Sequence, residues 1–251
     1  IRKYLQSGIM VDGVVSQRLE GTPQGSPLSP LLSNIVLDEL DDELERRGHK
    51  FVRFADDCNI YVRSQAAGER VMESISNFIE SKLKLQVNQD KSQVCQVNQT
   101  KFLGYSILQN GWLTIATKSV ERFKTKIRKI TKRNRGVRFE QIIAELTPVL
   151  RGWFNYFHHA HCKSLLKNLD SWIRRKLRCY RLNQCKRVIT LQRFLKSSGV
   201  DNWQSWILAL SGKGQWRKSG CPQTHQAMGN KWFYDVMGLY NLSFNYERLN
   251  N

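Results

Sequence analysis

Lys50-Phe51-Val52-Arg53-Phe54-Ala55-Asp56-Asp57-Cys58-Asn59-Ile60-Tyr61-Val62-Arg63 decides how this chain is read. Apolar residues alternate on both sides of an acidic pair, with Val52 and Phe54 before it and Cys58, Ile60 and Val62 after it. Period two is the signature of half-buried strands, and the short gap between the runs makes them a β-hairpin. The tip carries Asp56 and Asp57 side by side. In an unbroken strand neighbouring side chains face opposite ways, whereas at a turn both can converge. Two readings stand open here: a solvated acidic turn, which Asp suits well, or part of a divalent-cation site. Two carboxylates that close repel unless a cation offsets them.

Before the hairpin, Glu20-Gly21-Thr22-Pro23-Gln24-Gly25-Ser26-Pro27 is a Gly- and Pro-rich loop. A helix follows, with Ser29 suited to its cap and Pro30 to its first position. Leu31, Leu32, Ile35, Val36, Leu40 and Leu44 recur at helical spacing, and Gly48 ends the run. Residues 1–7 read as a helix end, and Asp12-Gly13 as the turn of a tight hairpin. Ser64 caps a helix carrying Val71, Met72, Ile75, Phe78, Ile79 and Leu83. Strands are expected at 85–87, 94–97, 102–108 and 112–115. Residues 1–115 thus read as α+β, a small antiparallel sheet backed by helices.

From about Lys118 the period becomes 3.6. Val120, Phe123, Ile127 and Ile130 stripe one helix; Phe139, Ile142, Ile143 and Leu146 stripe a second. Thr147 and Pro148 read as the start of a third, carrying Val149, Leu150, Trp153 and Phe157. A fourth, from Ser164, buries Leu166, Leu169, Trp172, Ile173, Leu177 and Tyr180, and beside that face Lys167, Arg174, Arg178 and Arg181 form a basic stripe. Short helices are expected over 190–198 and around Trp203, Trp206 and Leu210. Residues 211–231 read as loop, and 232–242 fold back onto the domain.

The net charge of +19 is unevenly placed: residues 1–100 carry −2 and residues 101–251 carry +21. A near-neutral part joined to a strongly basic one points to nucleic acid as partner. Six cysteines without a Cys-x-x-Cys pair fit a reducing intracellular compartment. His158-His159-Ala160-His161-Cys162 has no second cluster to complete a four-ligand zinc site, and reads as a helix end facing solvent or RNA. No apolar run of eighteen residues calls for a membrane partner.

Taken together, residues 21–30, the Phe54-Ala55-Asp56-Asp57 hairpin, Asn88-Gln89-Asp90-Lys91-Ser92 and Lys101-Phe102-Leu103-Gly104-Tyr105 resemble, in order, the palm of a reverse transcriptase. Leu150-Arg151-Gly152-Trp153-Phe154-Asn155-Tyr156-Phe157 and residues 169–177 resemble the thumb (X) region of group II intron-encoded reverse transcriptase/maturases. The resemblance implies a partial α+β polymerase palm (1–115), an all-α basic thumb/maturase domain (116–200) and a C-terminal tail (201–251). It implies that Asp56 and Asp57 bind catalytic Mg²⁺, that Pro23, Gln24 and Gly25 line the template and nascent pair, and that Lys91 lies near the incoming dNTP. Phe102, Leu103 and Gly104 would form the primer grip. Arg151, Trp153, Tyr156, Lys167, Arg174, Arg175, Arg178 and Arg181 would meet RNA, by phosphate pairing and by stacking on bases.

Two departures qualify it. Phe54 stands where many relatives have Tyr. The family's third metal carboxylate and its fingers are expected before Ile1, or on a second chain. The implied partners are intron RNA, an RNA template with a DNA primer, and dNTPs, in the bacterial cytoplasm by the nucleoid or in an organelle. The competing readings are an RNA-binding splicing cofactor with a non-catalytic palm remnant, and a reverse transcriptase of a retron or defence system.

Overall fold

The computed structural model describes residues 8–11, 13–16 and 27–250. The Pro23-Gln24-Gly25 loop, Asp12 and the helix end read at residues 1–7 lie outside the described residues. The chain divides into two compact units, 1–96 and 97–251.

In the first unit, β1 (Ile9–Val11) and β2 (Val14–Ser16) pair antiparallel with Val11 opposite Val14, the expected tight hairpin, and Gly13 takes φ +81°. Helix α1 (Ser29–Arg46) starts one residue earlier than expected, at the residue read as its cap, with Pro30 in the first turn, where no intrahelical N–H bond is forgone. It ends in a left-handed glycine. Gly48 (φ +73°) donates to the Glu45 carbonyl and His49 to that of Leu44, which satisfies two terminal carbonyls at once. Strands β3 (Lys50–Phe54) and β4 (Asp57–Tyr61) form the hairpin, and α2 (Gln65–Ser81) follows, capped by the Ser64 hydroxyl on the Ala67 amide. Leu37, Leu40 and Leu44 of α1 and Ile75 of α2 make a small core, onto which Phe51, Cys58 and Ile60 pack.

The hairpin's apolar phase differs from expectation on β3. Cross-strand partners share a face, and the register sets Phe51 against Ile60 and Arg53 against Cys58. Those residues turn toward the helices. Val52 and Phe54, opposite Asn59 and Asp57, turn away and are 48% and 60% exposed. Strands expected at 85–87 and 94–97 are irregular chain and a 3₁₀ turn (Val97–Gln99). Val94 instead seats its side chain against Gly68 of α2, where an added Cβ would lie 2.6 Å from Val94 Cγ1.

The second unit opens with a three-stranded antiparallel meander, β5 (Lys101–Phe102), β6 (Tyr105–Ile107) and β7 (Leu113–Ile115). It shares its core with the helices: Ile115 is buried among them and Tyr105 packs against them. Helix α3 (Thr117–Ile130) buries Val120, Phe123 and Ile127. Helix α4 runs unbroken from Phe139 to Phe157, so the expected start at Thr147-Pro148 is a correction. The stripe Leu146, Leu150, Phe154 and Phe157 is buried along its length, and the Thr147 hydroxyl turns back onto the Ile143 carbonyl instead of capping. Packing outweighs the amide bond that Pro148 forgoes.

Helix α5 (Lys163–Gln184) is the longest described, followed by α6 (Val188–Ser197) and α7 (Asn202–Leu210), the latter capped by Asp201. Two short helices, α8 (Gln215–Lys218) and α9 (Pro222–Ala227), occupy the expected loop; the Thr224 hydroxyl fixes them by bonding the Lys218 carbonyl. A π turn (Trp232–Val236) and α10 (Leu242–Asn250) follow. Met228, Phe233, Leu239, Leu242 and Tyr246 enter the same core as α3–α5. Asp170 of α5 caps α10 from within, accepting from the amides of Leu242 (3.1 Å) and Ser243 (2.8 Å). No described helix is long and apolar enough to cross a membrane.

Candidate functional site

The acidic hairpin forms as expected. Phe54 pairs with Asp57, leaving Ala55 and Asp56 as a two-residue turn. Ala55 takes φ +54°, a conformation that costs a non-glycine residue about 1–2 kcal/mol. Asp56 and Asp57 are both exposed, and among the described residues neither carboxylate has a hydrogen bond or ion pair. Beneath them Arg53 is nearly enclosed. Its Nε donates to Asp41 Oδ1 at 2.7 Å and its Nη2 to Asp41 Oδ2, while Nη1 reaches Asn34 Oδ1 (3.1 Å) and the Ala55 carbonyl (2.9 Å). The Asp41 hydrogen bonds raise the Arg53 pKa above its already high ordinary value. Burial pushes the neighbouring Cys58 thiol up to about 11.

Two adjacent carboxylates are hard oxygen donors of the kind Mg²⁺ takes, with water completing its shell. They fit a divalent cation as part of a donor set. Among the described residues no group of three His, Cys, Asp or Glu side chains gathers to hold one.

Lys91 is exposed on a turn shaped by Asn88, whose backbone and side-chain oxygens each accept from the Lys91 amide at 3.2 Å. In the second unit, Phe102, Leu103 and Gly104 make a tight hairpin tip. Leu103 (φ +51°) and Gly104 (φ +82°) are both left-handed, the pattern of a two-residue turn that matches strand twist. Two tyrosines hold this tip to α4 reciprocally: the Tyr156 hydroxyl donates to the Leu103 carbonyl (2.9 Å), and that of Tyr105 to the Tyr156 carbonyl. Gly104 also touches α3 and α4, since an added Cβ would meet Ser119 Oγ at 2.9 Å and Phe157 Cζ at 3.2 Å.

The basic stripe of α5 needs correction. Arg178 is only 4% exposed; its Nε donates to the Met228 carbonyl (3.0 Å), its Nη1 faces His225 Nε2 (3.4 Å), and it lies over the Phe233 ring. Burial, then repulsion from Arg174, lowers its pKa to about 10. Arg174 donates to the Tyr234 hydroxyl, Arg175 stacks 4.4 Å from the Trp216 ring, and Arg181 lies 4.7 Å from that of Phe194. Lys167, exposed, pairs with Glu247. Arg174, Arg175 and Arg178, read as RNA contacts, thus hold the chain's own C-terminal segment, and Arg181 packs on α6. Trp153 stacks on Phe123 at 4.1 Å and 11° instead of offering a face to a base. Arg151 and Tyr156 stay on the surface, Arg151 beside the Tyr240 ring.

A second basic face lies on α3, a helix whose sequence has Lys and Arg nearly everywhere outside the apolar stripe but whose cations are not among the expected RNA contacts. Lys118, Arg122, Lys126 and Lys129 follow at spacings of four, four and three, all exposed and without ion pairs among the described residues. That spacing is the signal that locates it. At the end of α4, His158 Nδ1 contacts the Asn155 carbonyl, the His158 and His159 rings lie 3.8 Å apart, and His161 sits edge-on to Trp112.

Both units have counterparts among known proteins. Residues 1–107 match the family model described as reverse transcriptase (RNA-dependent DNA polymerase), and residues 120–199 that of the group II intron, maturase-specific domain. The chain is similar to Protein YkfC of Escherichia coli (strain K12), 29% identical over 142 residues, covering 43% of this chain and 37% of the relative. It is similar to the group II intron-encoded protein LtrA of Lactococcus lactis subsp. cremoris, 26% identical over 172 residues, covering 43% and 29%. A 51-residue stretch is 41% identical to an uncharacterized 91 kDa protein in the cob intron of Schizosaccharomyces pombe, covering 20% of this chain and 6% of that one. The chain therefore spans well under half the length of these relatives.

Proposed function

We propose, for a chain that joins a reverse-transcriptase segment to a maturase-specific domain and so belongs with the group II intron-encoded reverse transcriptase/maturases, that it serves RNA-templated DNA synthesis and intron RNA binding. The observation that carries the first part is the hairpin tip, where Asp56 and Asp57 stand exposed above a strained turn, unpaired among the described residues. Asp56 and Asp57 would hold Mg²⁺, which when bound activates the attacking 3′-oxygen and offsets charge on the phosphoryl group. The rest falls to the chain's own groups. Lys91 would pair with the triphosphate, and Phe102, Leu103 and Gly104 would seat the primer end. Pro23, Gln24 and Gly25 would line the template, glycine permitting close backbone approach. For intron RNA, Lys118, Arg122, Lys126 and Lys129 join Arg151, Tyr156 and Lys167 as the contacts we favour.

Primer extension on an RNA template with Mg²⁺ tests this, run with the chain alone and supplemented by the fingers-containing segment of a relative. Incorporation abolished in Asp56→Asn supports the polymerase reading. No incorporation in either mixture, with intron binding retained, would favour a splicing cofactor instead. That second reading draws on one observation: the described residues supply two carboxylates to the site, not three.

A further inference from the structure

The Arg53 side chain is 12% exposed and its partner Asp41 25%. An arginine enclosed in a strand pair is uncommon, and its hydrogen bonds show what it is for. Two N–H groups grip both oxygens of Asp41 on α1, and the NH2 group of Nη1 donates to Asn34, also on α1, and to the carbonyl of Ala55. The guanidinium therefore spans from the helix to the turn itself. The Ala55 carbonyl belongs to the peptide unit whose nitrogen is that of Asp56, so holding that oxygen fixes the plane from which the Asp56 backbone departs. Ala55 is the residue with the unfavourable left-handed φ, and such conformations persist only where the surroundings over-determine them.

We propose that Arg53, anchored by Asp41 and Asn34, is a positioning residue that holds Ala55 left-handed and so sets the direction of the Asp56 and Asp57 carboxylates. This rests on reading those carboxylates as cation ligands. The planar fork matters: it makes the bidentate Asp41 pair and still has a donor for the turn, which a lysine ammonium on a flexible stem cannot reproduce.

The test is Mn²⁺ binding to the chain, read as paramagnetic broadening of the Ala55, Asp56 and Asp57 amide signals, with hydrogen-exchange protection of α1 and α2 measured alongside. Arg53→Lys, Arg53→Met and Asp41→Asn should each raise the Mn²⁺ concentration for half-broadening by about tenfold or more, the usual effect of removing a group that orients a ligand. Ala55→Gly, which takes a left-handed φ without help, should recover part of that affinity in the Arg53→Met background. If Arg53→Met fails to fold, Asp41→Asn and Arg53→Lys carry the test. Variants that keep helix protection and bind Mn²⁺ like the wild type would overturn the positioning role. The same holds if the added glycine recovers nothing. Broadening that is absent in the wild type, or survives in Asp56→Asn/Asp57→Asn, would overturn the cation reading itself, and the positioning proposal with it.

Discussion

At the scale of single residues, two positions give opposite expectations for conservative changes. Gly104 combines φ +82° with Ser119 and Phe157 close on its open side. Gly104→Ala should destabilise the second unit by about 1–3 kcal/mol, seen as a lower urea midpoint with unchanged slope. Phe54 is the reverse case. It lies on the open face of the hairpin, where a phenolic hydroxyl reaches water, so Phe54→Tyr should change stability by less than about 0.5 kcal/mol. The acidic tip itself is legible from Asp56 and Asp57 flanked by apolar runs. The phase of those runs is not, because Val52-Phe54 and Phe51-Arg53 both contain apolar residues, and only the pairing register decides which pair faces the helices.

At the scale of elements, α5 acts as a clamp on the C-terminal segment. His225 is held below its ordinary pKa by burial and by repulsion from Arg178, Arg174 and Arg175. The unfolded chain thus takes up that proton at higher pH than the native one. Stability is full above about pH 6.5 and falls as pH drops through the lower native value. Unfolding midpoints at pH 7 and pH 5 should show this slope in the wild type and a reduced one in His225→Gln. Replacing Arg178 with Gln should cost about 1.5–3 kcal/mol, the worth of a hydrogen bond from a charged group. On α3, neutralising Lys118, Arg122, Lys126 and Lys129 should flatten the salt dependence of RNA affinity by about 0.7–0.9 for each phosphate left without its cation, in log–log terms. Periodicity locates α3 and α5, and it shows which arginines share a face. It does not show what covers that face, which is why Arg178 reads as a phosphate contact and proves buried. The strands expected at 85–87 and 94–97 fail for a related reason, since a strand needs a neighbour, and Val94 has a helix beneath it instead.

At the scale of the molecule, the maturase-matched segment 120–199 does not enclose its own core. Met228, Phe233, Leu239, Leu242 and Tyr246 complete it from beyond. Each such side chain is worth about 1.5–3 kcal/mol when buried, and their sum is comparable to the entire stability of a typical domain, about 5–15 kcal/mol. A chain cut after residue 200 should lose the cooperative unfolding that circular dichroism should show for the 251-residue chain. The Asp170 cap on α10 carries this into the time of synthesis. Its oxygens wait for amides 72 and 73 residues further along the chain. At about 5–20 residues per second a ribosome takes several seconds to deliver them. Through that interval the Asp170 carboxylate is solvated by water, and its burial on α5 waits for α10. A nascent chain stalled in between would stop in that state, so the docking of α10 also marks how far translation has gone.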